Sequence, residues 1–183
     1  MRIGVFFGEG FEEVEALTTV DLLRRAGYDV ETVSVSNTHH VMGAHGVEIK
    51  TDFYISEVSV SAMDMIVLPG GKGYKNLEKC PHLVKRIKKF DTEGKLIAAI
   101  CAAPSILGRA GVLEGKKVTC FPGYENELYG GIHTGEEAVW DKNIITGRSA
   151  GCSVAFALKI IEAVSGKEEA MKMAESICYD HYK

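Results

Sequence analysis

Lys95-Leu-Ile-Ala-Ala-Ile-Cys101-Ala-Ala-Pro-Ser-Ile-Leu-Gly-Arg-Ala-Gly111 is the stretch that sets the fold. Leu96 to Ile100 is apolar at every position, as in a strand covered on both faces. Ala103 to Ala110 reads as a short helix closed by Gly111. Cys101 sits at the turn between them. A strand that bends sharply into a helix presents its turn residue at the top of a sheet, as in a nucleophile elbow. The small neighbours Ala98, Ala99, Ala102 and Ala103 suit such a bend. The helix N-terminus beyond the thiol offers positive potential and N–H groups, which would lower its pKa. A buried cysteine capping a strand fits the same pattern equally well.

Outward from this stretch, strands and helices alternate along the chain. Ile3–Phe7, Val30–Val35, Met65–Leu68, Lys117–Phe121, Ala138–Trp140 and Ile144–Thr146 read as strands. Glu12–Ala26, Pro81–Glu93, Ser153–Val164 and Glu168–Cys178 read as helices. His39–Ile55, with Gly43, Gly46 and the alternating Val47-Glu48-Ile49-Lys50, reads as an antiparallel excursion from the main sheet. The pattern predicts one α/β domain over residues 1–183, a mostly parallel central sheet with helices on both faces. Its chemistry should lie outside the carboxyl ends of the strands, where loops 8–13, 69–73 and 101–104 meet.

The bulk properties narrow the function. The 183 residues suffice for one core, and 46% apolar with 25% charged residues is ordinary for a globular protein. A net charge of −4 argues against a nucleic-acid-binding domain. The first apolar run is too short for a signal peptide, and no run is long enough for a membrane span. The five cysteines are spread out with no CxxC spacing, which speaks against a disulfide framework or a zinc site. A cytoplasmic location is expected.

Three further features can carry chemistry. Glu15 lies one turn into the first helix, and a periodicity that sends Glu12 and Glu13 to solvent turns Glu15 inward, among Leu17, Thr18 and Leu22. Burial would keep its carboxyl protonated and able to donate to a thiolate or move a proton. Pro69-Gly70-Gly71 can point backbone N–H groups inward and, with the N–H of Ala102, form an oxyanion hole; alone, it is an ordinary turn. None of the six histidines is adjacent to Cys101 in sequence, and none has metal-site spacing, so no metal is expected.

Gly10-Phe-Glu-Glu-Val-Glu-Ala, Val67-Leu-Pro-Gly-Gly and Ala98-Ala-Ile-Cys-Ala-Ala-Pro, in this order, resemble the DJ-1/ThiJ/PfpI family. The resemblance runs on to the Lys159–Lys167 helix and is greatest to the parkinsonism-associated deglycase branch and its bacterial relatives. The protease-like branch places histidine directly after the cysteine, where this chain has Ala102. The resemblance implies a flavodoxin-like, class I glutamine amidotransferase-like sandwich and a homodimer. It places the reactive cysteine at Cys101, the protonated glutamate at Glu15 and backbone oxyanion donors at Gly71 and Ala102. Animal members have a Thr-His-Pro stretch where this chain has Cys120-Phe121-Pro122, so a Cys–His dyad is not expected. His45 matches a basic position at the family's dimer interface and is a candidate contributor to the partner's pocket. The implied activity is cofactor-independent, on methylglyoxal, glyoxal or their adducts with proteins or nucleotides. Alternatives are an oxidative-stress sensor or chaperone working through Cys101, and a non-catalytic interaction domain.

Overall fold

The computed structural model describes residues 1–182. In chain order the elements are β1 (Arg2–Phe7), α1 (Glu13–Arg25), β2 (Asp29–Ser34), β3 (His40–Met42), β4 (Glu48–Lys50), β5 (Phe53–Tyr54), β6 (Met65–Leu68), α2 (Tyr74–Glu78), α3 (Pro81–Thr92), β7 (Leu96–Ile100), α4 (Pro104–Ala110), β8 (Lys117–Val118), β9 (Ile132–His133), β10 (Ala138–Asp141), β11 (Ile144–Gly147), α5 (Ser153–Ser165) and α6 (Lys167–Ser176). The main sheet has the order β10-β11-β7-β6-β1-β2-β5. Only β10 is antiparallel to its neighbour; the other pairings are parallel. This is the flavodoxin-like arrangement.

Strand alternation sends side chains to two cores. Ile66, Leu68, Ile97, Ala99 and Ile144 face α3 and α4, where Leu83, Ile87, Phe90, Ile106 and Leu107 cover them. Val5, Phe7, Met65, Val67, Ala98 and Ile100 face α1, α5 and α6, under Ala16, Leu23, Phe156, Ile160 and Ala170. A strand covered on both faces has no room for polar alternates, which is why β6 and β7 are uniformly apolar. Each buried Val, Leu, Ile, Met or Phe among them contributes roughly 1.5–3 kcal/mol through burial.

Three expectations need correction. The 39–55 segment does form a hairpin, β3 with β4, but its end returns as β5 to pair in parallel with β2. The strand expected over 117–121 stops at Val118 and pairs with β9 outside the main sheet. Beyond it the backbone is diverted: Thr119 N–H donates to Thr146 Oγ1 at 2.9 Å and Phe121 N–H to the Cys101 carbonyl at 2.8 Å. The inward face of α1 carries Glu13, Glu15, Ala16, Thr19, Val20, Leu22 and Leu23, while Val14 and Leu17 are exposed. Glu13 therefore points inward, not to solvent, and Glu15 neighbours Thr19 and Leu22, not Leu17.

The chain leaves β1 towards β2 on one side, then crosses back to β6 on the other. The carboxyl ends of β1, β6 and β7 thus open on the crevice where doubly wound sheets bind ligands. No helix among the described residues is long and apolar enough to cross a membrane.

Candidate active site

The three expected loops do meet at this crevice. Phe11 bridges Gly71, Gly73 N–H donates to Gly10 O at 2.8 Å, and Glu12 N–H donates to Gly70 O at 3.2 Å. Cys101 stands just beyond β7 with φ +66°, in the left-handed region that side-chain-bearing residues avoid. Its surroundings hold it there: its N–H donates to Gly147 O at 3.0 Å and its carbonyl accepts from Phe121. The strained turn fixes the sulfur at the top of the sheet, as an elbow requires.

Glu15 is 1% exposed. Its Oε2 accepts the Gly70 N–H at 2.8 Å, while Oε1 is buried without a hydrogen-bond partner. Gly70 is the seat on which carboxyl and thiol meet. A Cβ there would stand 2.6 Å from Cys101 Cβ, 2.7 Å from Glu15 Oε2 and 3.1 Å from Cys101 Sγ. Burial pushes the Glu15 carboxyl up to about 7, against hydrogen bonds to Cys101 and Gly70 that favour its charged form.

The lowered thiol pKa expected from the following helix is not found. Burial, then the charge and hydrogen bond of Glu15, push the Cys101 thiol up to about 12, against N–H groups of Gly71 and Ala102 that lower it. The helix beyond it has only seven residues, Pro104–Ala110, and its terminus does not outweigh that burial. Below about pH 7 the pair holds two protons and above it one, and their ionisations belong to the pair. When Glu15 keeps the proton, the repulsion disappears and its O–H can donate to the sulfur. The N–H groups of Gly71 and Ala102, the expected oxyanion donors, both favour the thiolate form of Cys101.

His45 lies elsewhere within the monomer. Its Nδ1 is 2.9 Å from Glu13 Oε2 and 3.6 Å from Glu12 Oε1, and its N–H donates to Glu13 Oε1 at 2.7 Å. These three residues bring ligand-type atoms within 4.8 Å of one another, but as an ion-paired cluster at a helix N-terminus, whose dipole disfavours a cation. Phe121 occupies the position that the family resemblance gives to histidine; it is half-exposed and reaches Cys101 through its backbone. No hydrogen bond joins a histidine to Cys101 or Glu15 among the described residues.

The sequence reading missed Tyr74 and Tyr124. Tyr74 opens α2 and Tyr124 follows the diverted 119–121 segment, and their rings meet edge to face at 5.7 Å. Fifty residues separate them, and no periodicity links such positions.

Residues 1–163 match the DJ-1/PfpI family. The chain belongs to that family. It is 40% identical over 168 residues to Protein DJ-1 homolog B of Arabidopsis thaliana, covering 90% of this chain and 38% of that protein. It therefore spans about two fifths of the length of the Arabidopsis DJ-1 homologs. Glutathione-independent glyoxalase DJR-1.2 of Caenorhabditis elegans is 32% identical over 172 residues, covering 93% of this chain and 91% of that protein. The structure of oxidized Toxoplasma gondii DJ-1 superposes with a TM-score of 0.94 at 34% identity, covering 98% of this chain and 99% of that one. The DJ-1/PfpI family accounts for the mostly parallel sheet.

Proposed function

We propose that this DJ-1/PfpI protein is a cofactor-independent cysteine enzyme of the glyoxalase type, acting on small dicarbonyls or on their early adducts. The observation that carries this reading is the buried Glu15 carboxyl meeting the Cys101 sulfur across Gly70, with the N–H groups of Gly71 and Ala102 favouring the thiolate. The similarity to a relative named as a glutathione-independent glyoxalase supports it.

The chemistry follows from the parts. Cys101 sulfur adds to the aldehyde carbon of methylglyoxal, and the carbonyl electron pair moves to oxygen near Gly71 and Ala102. That oxygen takes the proton from Glu15, giving a hemithioacetal. The Glu15 carboxylate then removes the hydrogen on the former aldehyde carbon, and the neighbouring ketone becomes an enediol. The hydroxyl on the first carbon then gives up its proton as the second carbon takes one up, both through Glu15, which leaves a thioester; water hydrolyses it to lactate and frees the Cys101 thiol. The aldehyde carbon is oxidised and the ketone carbon reduced within one molecule, so no external oxidant or cofactor enters. Monoanionic Cys101–Glu15 is the reactive form whichever atom holds the proton. Activity should therefore rise with pH through about 7, where Glu15 and its partner lose their first proton. A steady-state lactate assay tests the reading; product formation equal to a Cys101→Ser control ends it.

A second reading has its own support. A protonated carboxyl beside a partly exposed thiol is placed to hydrogen-bond an oxidised sulfur, and an oxidized structure exists for a family relative. Mild peroxide followed by mass spectrometry should then mark Cys101 ahead of the other four cysteines; uniform oxidation counts against it. Both roles fit a homodimer formed through α1, whose Val14 and Leu17 are exposed, as are Met42 and Val47. Light scattering at micromolar concentration reads the dimer directly.

A further inference from the structure

The reaction above needs the N–H of Ala102, and the hydrogen bonds around the elbow show what aims it. A trans peptide group is planar, so its carbonyl and its N–H point in opposite directions. Holding the Cys101 carbonyl therefore fixes where the Ala102 N–H points. Phe121 N–H donates to Cys101 O at 2.8 Å and does the holding. Ala102 is buried, and among the described residues its N–H donates to no oxygen. Buried N–H groups are rarely left without an acceptor. This one directly follows the nucleophile of an elbow, the place where such turns supply an oxyanion donor. The Gly71 N–H is aimed in the same manner but from another element: Glu12 N–H donates to Gly70 O at 3.2 Å.

The hold on Ala102 closes into a ring. From Phe121 it runs outward: Tyr124 N–H donates to Phe121 O at 3.1 Å, and Glu127 N–H donates to Tyr124 O at 3.0 Å. Arg109 on α4 continues it, with Nε and Nη2 both 3.2 Å from Glu127 Oε2. Its Nη1 donates to Ser105 Oγ at 3.4 Å. Ser105 is fully buried; its hydroxyl donates to Ala102 O at 2.7 Å, beside its own N–H at 3.1 Å. Ala102 is thus held at both of its peptide groups, by Phe121 before it and by Ser105 after it. Both holds end on one guanidinium.

The surroundings keep the guanidinium in register. Gly108, next to Arg109, lets α4 approach the Glu127 loop backbone to backbone: a Cβ there would run into the Glu127 carbonyl and stand 2.8 Å from Tyr129 N. Glu78, at the end of α2, accepts from Arg109 Nη1 at 2.6 Å. Arg109 and its two carboxylates are all partly exposed, so the ion pairs add little stability by themselves. Their effect is directional. A rigid planar fork serves two carboxylates and a hydroxyl at once, which a single ammonium cannot do. Cys101, at φ +66°, has no local preference for its own backbone geometry, so the turn depends on such outside holds.

We propose that Arg109 is a positioning residue of the Cys101 site: through Glu127, Tyr124 and Phe121 on one side and Ser105 on the other, it aims the Ala102 N–H at the oxyanion. The proposal deepens the glyoxalase reading and rests on it for the oxyanion, though not for the ring. Arg109→Ala should lower kcat for methylglyoxal roughly ten-fold, a fraction of the 10²–10³ that loss of a whole donor costs. KM should stay within about two-fold, because the interaction belongs to the transition state. Glu127→Ala opens only one arm of the ring and should lose no more than Arg109→Ala. The double variant should match Arg109→Ala; losses that multiply overturn the proposal.

Amide hydrogen exchange, followed by NMR, reads the ring without turnover. In Arg109→Ala the Phe121 N–H should exchange roughly ten-fold faster, while the Glu12 N–H, outside the ring, stays within about two-fold of wild type. Equal acceleration at both positions would make Arg109 a stability contact and overturn the proposal, as would unchanged exchange at Phe121. Selective loosening of Phe121 with undiminished lactate formation also overturns it, and leaves the glyoxalase reading standing. If wild type forms no lactate, the glyoxalase reading is what fails, and alkylation of Cys101 by iodoacetamide then decides. It should run roughly three- to ten-fold slower in Arg109→Ala at pH 8, because a donor that favours the thiolate is no longer held in place. An unchanged alkylation rate overturns the proposal there too.

Discussion

Glu13 and Glu15 stand two residues apart in the first turn of α1, both buried, at 9% and 1% exposure. Burial acts to raise both carboxyls. At Glu13, hydrogen bonds from the His45 side chain and backbone overcome it and lower the carboxyl to about 2. At Glu15, the thiol and one Gly70 N–H are too weak to do so, and the carboxyl rises to about 7. Depth and partners both separate them: Glu15 is the more deeply enclosed, and it lacks the His45 partner that Glu13 has. A cationic ring and a backbone donor make Glu13 a fixed anion that pins the 43–45 turn to α1. A neutral thiol and an orphaned Oε1 make Glu15 a proton carrier.

The difference can be tested by breaking each partner in turn. Removing the group that Glu15 serves has the largest effect: Cys101→Ala should lower lactate formation by about 10³-fold or more, because the covalent route closes. Glu15→Gln should cost roughly 10²–10⁴-fold in kcat/KM, the range for a general acid–base group, and abolish the rise in activity through pH 7.

The same Glu15→Gln change should raise stability. The folded value of about 7 lies above the ordinary 4.5, so the folded state holds its proton more tightly and loses stability as pH climbs between those values. The cost approaches about 3 kcal/mol above pH 7. Urea unfolding should show the variant more stable than wild type by about 1–3 kcal/mol at pH 8 and no more stable at pH 4. A variant less stable at both pH values would mean that Glu15 is not a strained proton carrier.

Gly70→Ala tests the seat shared by carboxyl and thiol. Its Cβ would fall inside contact distance of both, so Glu15 must shift, with an overpacking cost of roughly 1–3 kcal/mol and slower alkylation of Cys101.

The smallest effect belongs to the Glu13 side. Glu13→Gln should lower the melting temperature modestly while Cys101 chemistry persists. The sign runs opposite to that of Glu15. Glu13 is depressed below 4.5, so its contribution is present above that pH and fades as pH falls towards 2. His45 is raised above 6.5, chiefly by its hydrogen bond to Glu13, so its share is full below that pH and fades as pH rises through the raised value. Thermal melts from pH 3 to 9 should show the wild-type advantage over Glu13→Gln widest near pH 5–6. An advantage that does not change with pH would mean that charge is not what joins His45 to α1.

Much of this was legible in one dimension because it depends on local pattern. The all-apolar run Leu96–Ile100, the abrupt cysteine and the small residues around it required only strand period and side-chain volume to be read as a buried strand and an elbow. Glu15 was found by helical period, although period alone misplaced Glu13: the cover over it comes from Gly43 to His45, about thirty residues away. The strand expected over 117–121 ends at Val118 because Thr146 and Cys101 compete for the backbone donors beyond it, and sequence does not display such competition.

The sequence by itself determined the mostly parallel sheet and the position of Cys101 at its top, since these follow from periodicity and residue size, while the pairing of Glu15 with it came from the family resemblance. The tertiary structure alone decided the state of that thiol. Its proton is governed by burial, by Glu15 across Gly70 and by two N–H groups from separate loops, and these act through space, whatever their separation along the chain.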